Sequence, residues 1–303
     1  MKKVIITGIS GFIGKYLGEY YISGNYKVIG IGRNKYNIDS ENYEFVKLDL
    51  NKDNLEKVWV KYKPDYFIHC ASNASVSESI TNPLDDFESS VSILYKILFS
   101  LKNVNLSPKF IYLSSAAVYG NPKKLPVTEC DETNPISPYG LNKKLCENIC
   151  EYFIKNESMD IKILRIFSVY GAGLTKQILW DISKKVKNSD KIELFGNGNE
   201  TRDFINIRDL IRTINLILES TTEDYIFNIA NGEEISIREL AQIYLENNNI
   251  NIKFLTFNNI VNEGNPNNWV ADITRLKKIG YRKEIEINQG IKEYIEWLNS
   301  NYI

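Results

Sequence analysis

Histidine is nearly missing from this chain: its 303 residues include one, His69. The four cysteines, Cys70, Cys130, Cys146 and Cys150, show no C-x-x-C spacing. Cys146 and Cys150 share a helix face, but with a single histidine they do not make a zinc ligand set, so no metal site is expected. They read as reduced thiols of a cytoplasmic protein. An excess of one charge is also missing. Lys+Arg total 37 against 38 Asp+Glu, a net charge of −1, which argues against nucleic acid or an anionic membrane as partner. No apolar run reaches the roughly 20 residues that span a bilayer. The opening "MKKVIITGIS" is too short before its glycines for a signal peptide and reads as a first strand. Repeats of 20–50 residues and low-complexity tracts are absent, which excludes solenoids and linker arrays.

What is present is alternation. "VIITG", "KVIGIG", "FVKLDL", "YFIHCA", "KFIYLSS" and "IKILRIF" are short apolar runs of the buried-strand type. Helical patterns at Phe12–Ile22, Leu55–Tyr62, Leu84–Leu101 and Tyr139–Ile154 separate several of them. Strands alternating with helices imply an α/β fold, a doubly wound parallel sheet with helices on both faces. After Val169 the pattern changes to helices and short strands, read as a smaller α/β substrate lobe. The expected division is a dinucleotide-binding part, 1–168, rejoined by 203–229, and a substrate lobe of 169–202 and 230–303.

"TGISGFIG", Thr7–Gly14, follows the first strand and opens the first helix. Glycine at 8, 11 and 14 permits a tight turn and close backbone approach, and the helix start offers N–H donors to a pyrophosphate. The spacing is G-x-x-G-x-x-G, and its strand–turn–helix setting points to nucleotide binding. The second strand ends "VIGIGRNK", where an acid often meets an NAD ribose. Here Gly32 and Arg33 stand instead. An arginine suits a 2′-phosphate, or it lies flat on the adenine; its chemistry favours NADP(H), with NAD as the alternative. Asp49 either bonds the adenine edge or caps the next turn.

"SPYGLNKKLCE" places Tyr139 and Lys143 four residues apart, one helical turn, so both project from one face. There an ammonium would stand beside the phenol and stabilise its deprotonated form.

Taken with "YLSSAAVYG" (Tyr112–Gly120) and "PYGLNKK", the glycine turn resembles the extended short-chain dehydrogenase/reductase family, more narrowly its nucleotide-sugar epimerases, dehydratases and 4-keto reductases. The motifs follow that family's order, and the resemblance runs from Thr7 to "ADITRLKKIGYRKE". It implies a Rossmann-like fold and a catalytic set of Ser115, Tyr139 and Lys143. The phenol would move the proton, and Lys143 would also hold the nicotinamide ribose. Ser115 would orient the sugar oxygen. Beside that set, His69 reads as structural. For the cofactor the resemblance implies Thr7, Gly8, Gly11, Phe12, Ile13 and Gly14 in the turn. Arg33, Asn34, Asp49 and Leu50 would follow the next two strands. Cys70, Ala71 and Ser72, then Phe167 and Val169, would complete the cofactor site with Tyr139 and Lys143. For a nucleotide-diphosphate sugar it implies Ser75, Ser115, Ser168, Gln177 and Trp180, with Phe195 at the base and Arg202 at the diphosphate. Trp180 has an equal reading as core.

Three positions depart from the family pattern. Ser90 falls near a network asparagine, Ser168 replaces an asparagine, and Asn262 stands where galactose-type epimerases carry an arginine. Arg33 and Asn262 tilt the expected activity toward an NADP(H)-dependent reductase or dehydrogenase at C4 of a nucleotide sugar. The alternatives are a 4-epimerase with tightly bound NAD and a non-catalytic nucleotide-binding protein. Ala116 and Ala117 stand where related dehydratases carry an Asp-Glu pair, which argues against 4,6-dehydration. A homodimer through Leu84–Leu101 and Tyr139–Ile154 is expected.

Overall fold

Short, mostly apolar runs fit strands covered on both faces. The computed structural model, which describes residues 1–72, 75–188, 191–260, 264 and 266–302, shows how they are covered. The chain begins with β1 (Lys3–Thr7), α1 (Phe12–Ser23), β2 (Lys27–Gly32) and β3 (Tyr43–Lys47). Helix α2 (Leu55–Tyr62) leads to β4 (Tyr66–His69), then α3 (Val76–Thr81) and α4 (Pro83–Phe87). A π-helical turn, Glu88–Ser92, joins α4 to α5 (Ile93–Asn103). Next come β5 (Lys109–Ser115), α6 (Pro138–Glu157), β6 (Ile161–Ile166) and β7 (Ser168–Tyr170). The later elements are α7 (Gln177–Asn188), β8 (Ile192–Leu194), β9 (Thr201–Arg202), β10 (Phe204–Asn206), α8 (Ile207–Glu219) and β11 (Ile226–Ile229). Last are β12 (Ile235–Ser236), α9 (Ile237–Asn247), β13 (Leu255–Phe257), α10 (Thr274–Lys278) and α11 (Ile287–Tyr302).

Seven strands form one sheet in the order β11-β6-β5-β4-β1-β2-β3, every pair parallel. Alternate residues of β1 serve opposite faces. Val4 and Ile6 join a core with Leu17 and Tyr21 of α1 and Leu210 and Ile214 of α8. Ile5 joins the other, with Trp59 of α2, Ile97 of α5 and Phe153 of α6. A third cluster, including Tyr170, Ile182, Leu240 and Tyr294, packs the later elements together. The fold is therefore the doubly wound parallel sheet expected. Among the described residues no helix is long and apolar enough to cross a membrane.

Two details go beyond the sequence reading. The helix expected over Leu84–Leu101 contains the π turn, a widening that hydrophobic periodicity does not reveal. Within 203–229, β11 joins the main sheet beside β6 and β10 pairs with β7.

Candidate active site

Strand order reverses between β1 and β4, and ligands of such sheets settle in the crevice at their carboxyl ends. The register brings Thr7 beside His69, and His69 beside Tyr112. Around Thr7 the backbone is too tight for side chains. A Cβ on Gly14 would stand 2.2 Å from the Gly8 carbonyl oxygen, and one on Gly8, at φ +69°, would stand 2.9 Å from the Ala71 nitrogen. Gly11 precedes α1 without a side-chain cap, and the helix's first turn holds no acid. Its N–H groups and positive end are thus left for an anion, and this backbone cradle fits a dinucleotide diphosphate. Phe12 and Ile13 are half-buried in that first turn.

Thr7 Oγ1 accepts from the Ala71 N–H (3.2 Å) and meets His69 Nδ1 at 2.8 Å. Burial, with Lys143 nearby, pushes the His69 imidazole down to about 3, so it stays neutral and serves the strand ends. Burial likewise lifts the Cys70 thiol to about 12, which leaves it unreactive beside the crevice.

Tyr139 and Lys143 project from the start of α6. Ser137 caps that helix by accepting from the Gly140 N–H at 3.2 Å, and Pro138 occupies its first position, where a missing N–H costs nothing. Lys143 is 3% exposed. Its Nζ donates to the Leu113 carbonyl (2.8 Å) and to Ser72 Oγ (3.2 Å), and lies 5.6 Å from the Tyr139 ring centre. The bond to Leu113 ties α6 to β5 two residues before Ser115. Ser115, at the end of β5, is half-buried and accepts from the Ala117 N–H. The structure therefore gathers Ser72, Tyr139 and Lys143 around one ammonium, at the sheet edge that also carries Ser115.

Arg33 and Asn34 are exposed beyond β2, and among the described residues Arg33 has no hydrogen bond or ion pair. Asp49 accepts from the Asn51 N–H (3.0 Å), the capping alternative, while Leu50 is buried. Phe167 and Val169 are buried beyond β6, flanking the half-buried Ser168. Arg202 donates to the carbonyls of Thr201 (2.7 Å) and Asn267 (3.1 Å) and lies over the Trp269 ring. Burial pushes its guanidinium down to about 10, still charged at neutral pH. Phe195 is 49% exposed, with the Lys185 ammonium over its ring 5.5 Å from the centre. Ser75 caps α3 through the Glu78 N–H. Gln177 is exposed, whereas Trp180 packs edge-on to Tyr302 and against the third cluster, the core reading of that residue. Ser90 donates to the Asp86 carbonyl inside the π turn. Asn262 lies outside the described residues.

Sequence reasoning missed the network beneath the site. Glu147 accepts three bonds from buried Arg165 (Nη2 at 2.8 Å, Nε at 3.1 and 3.2 Å) and one from Ser114 Oγ at 2.5 Å. An arginine inside the apolar strand "IKILRIF" signals a buried acid partner, and Glu147 follows Lys143 by four residues on α6. Trp269 was missed as well. Its ring meets Phe167 edge-on at 5.9 Å and its N–H donates to Gly120, so it links the nicotinamide-side and phosphate-side candidates.

This fold and this cluster together define an enzyme of the extended short-chain dehydrogenase/reductase type. The sequence pattern of the NAD dependent epimerase/dehydratase family matches residues 4–230, and the chain belongs to that family. A putative UDP-glucose 4-epimerase of Methanocaldococcus jannaschii is 32% identical, over 98% of this chain and 99% of the relative. Among solved structures, the UDP-N-acetylglucosamine 4-epimerase of Methanobrevibacter ruminantium, in complex with UDP-N-acetylmuramic acid, is 28% identical. Its TM-score is 0.88 over 99% of this chain and 98% of that one. The UDP-glucuronic acid 4-epimerase of Bacillus cereus, in complex with UDP-glucuronic acid and NAD, is 26% identical, with a TM-score of 0.90 over 99% and 100%.

Proposed function

We propose that this protein is a UDP-sugar 4-epimerase that works with retained NAD, in place of the NADP(H)-dependent reductase its sequence led us to expect. The observation that carries the reading is Lys143, buried and bonded to Leu113 and Ser72 with its ammonium beside Tyr139. The three relatives described above, each named a 4-epimerase, support the epimerase over the reductase. Arg33, the residue behind the NADP(H) expectation, is exposed beyond β2, and NAD is preferred here because the Bacillus cereus relative is solved with NAD.

In this reading the glycine turn and the start of α1 hold the NAD diphosphate, and Lys143 holds the nicotinamide ribose. Bound NAD would supply the acceptor for the C4 hydride, whose return to the opposite face of the 4-keto sugar inverts that carbon. Tyr139 removes the C4 hydroxyl proton as that carbon is oxidised and restores it on return. The Lys143 charge stabilises the negative charge that appears on the phenol oxygen. Ser115 orients the sugar oxygen. Arg202 binds the diphosphate and Phe195 the uracil, while Ser75, Ser168 and Gln177 line the sugar; Trp180 is left out. The parts divide as 1–168 with 203–229 for cofactor and 169–202 with 230–303 for substrate. Exposed Leu84, Phe87, Tyr95, Phe99, Leu141 and Tyr152 on α4, α5 and α6 support a homodimer through those helices.

The cofactor released on denaturing the purified protein tests this reading. NAD is expected. An empty site that takes up NADPH in preference to NADH would return the case to the reductase.

A further inference from the structure

The first turn of a helix has N–H groups without intrahelical partners, so its rotation is set by whatever meets them. In α6 Ser137 meets the Gly140 N–H from within the helix's own cap, and the segment of α3 and α4 supplies two further ties. The Tyr139 N–H donates to Ser79 Oγ at 3.0 Å, and one turn further on Asn142 Nδ2 donates to Asp86 Oδ2 at 2.7 Å. Asp86, Asn142 and Ser79 are all buried. Among the described residues Asp86 forms no ion pair, and its Oδ1 is buried without a hydrogen-bond partner. Burying a carboxyl group on a single amide costs stability, so packing alone gives no reason for it here. The π turn starts two residues later, and Ser90 donates to the Asp86 carbonyl from within it.

We infer that Asp86 is a positioning residue for Tyr139 and Lys143, acting through Asn142 to fix the rotation of the α6 turn from which both project. The inference rests on Tyr139 being the proton-transfer residue of the proposed epimerase. Errors of about 1 Å in such a group lower turnover by as much as roughly 10²-fold, so a single tether has kinetic weight.

The test compares Asp86→Ala, Asn142→Ala, the double variant and Asp86→Asn, which keeps an acceptor for the Asn142 amide. Hydrogen exchange of the 137–147 segment reads the tether whatever the substrate is, and kcat and KM for UDP-sugar epimerisation read its use. Either alanine variant is expected to speed exchange in 137–147 more than in the rest of α6. Each should lower kcat roughly tenfold at nearly constant KM, with the double variant no worse than the singles, as for two ends of one bond. Asp86→Asn should restore both. If Asp86→Ala fails to fold, Asn142→Ala cuts the same bond from the other side. Unchanged exchange at 137–147, altered exchange with unchanged kcat, or Asp86→Asn behaving like alanine would each overturn the inference. An unaltered protein that epimerises nothing would sink the functional reading instead, and the exchange comparison would still decide the tether.

Discussion

Lys143 sets its ammonium 5.6 Å from the ring of Tyr139 while its Nζ is anchored on the Leu113 carbonyl, so α6 delivers the pair to the end of β5 as one unit. Tyr139→Phe removes the hydroxyl and keeps the ring. Turnover should fall by roughly 10²-fold or more, the usual scale of acid–base catalysis, with retained NAD unchanged. Steady-state kinetics beside cofactor content checks both halves, and near-normal kcat would remove Tyr139 from the mechanism.

Gly14→Ala tests the cradle. The added methyl would stand 2.2 Å from a backbone oxygen, and backbone cannot swing aside as a side chain can. Overpacking of this kind costs about 1–3 kcal/mol, roughly 5- to 150-fold if it falls on cofactor affinity. Isothermal titration of the stripped protein with NAD reads the loss directly. Unchanged affinity would mean that the turn does not hold the cofactor.

Glu147→Ala leaves the Arg165 guanidinium buried without its acid. The expected loss is about 3–5 kcal/mol of folding stability, seen in urea unfolding. Replacing both partners, Glu147→Leu with Arg165→Met, should recover part of it, because two apolar side chains leave no charge stranded. A single-variant loss under about 1 kcal/mol would show that Arg165 finds other partners.

His69 predicts a pH effect. Its folded value lies near 3, below the ordinary 6.5 of an unfolded histidine, because burial and Lys143 both oppose the charge. Between those values the unfolded chain binds the extra proton. The contribution is therefore intact above about pH 6.5 and is lost as pH falls, by about 1.4 kcal/mol per unit. Urea midpoints from pH 7.5 to 5 should drop more steeply for the natural chain than for His69→Gln. Parallel curves would contradict the assignment.

The sheet and the reactive cluster were legible in the sequence because both are local. Apolar runs such as "VIITG" declare buried strands, the glycines declare a turn that tolerates no Cβ, and four-residue spacing puts Tyr139 and Lys143 on one face. Contacts between distant segments were not legible. Ser79 on the Tyr139 amide joins residues 60 apart, and nothing in either short stretch announces the other. Asp49 and Trp180 each had two readings, and the contacts of Asp49 with the Asn51 N–H and of Trp180 with the Tyr302 ring, which favour one of them, are not visible in either short stretch. The choice of reductase over epimerase leaned on Arg33 and Asn262. The first is exposed beyond β2 and the second lies outside the described residues, so neither separates the two activities.

The most direct test is to incubate the purified protein, with no cofactor added, with UDP-glucose, UDP-N-acetylglucosamine and UDP-glucuronic acid in turn, and to resolve the products by chromatography and mass. The account predicts that at least one is converted to its C4 epimer at unchanged mass. No water should be lost, since Ala116 and Ala117 beside Ser115 cannot transfer protons. A product lighter by one water, or no epimer at all beside NADPH-driven reduction of a supplied 4-keto sugar, would contradict it.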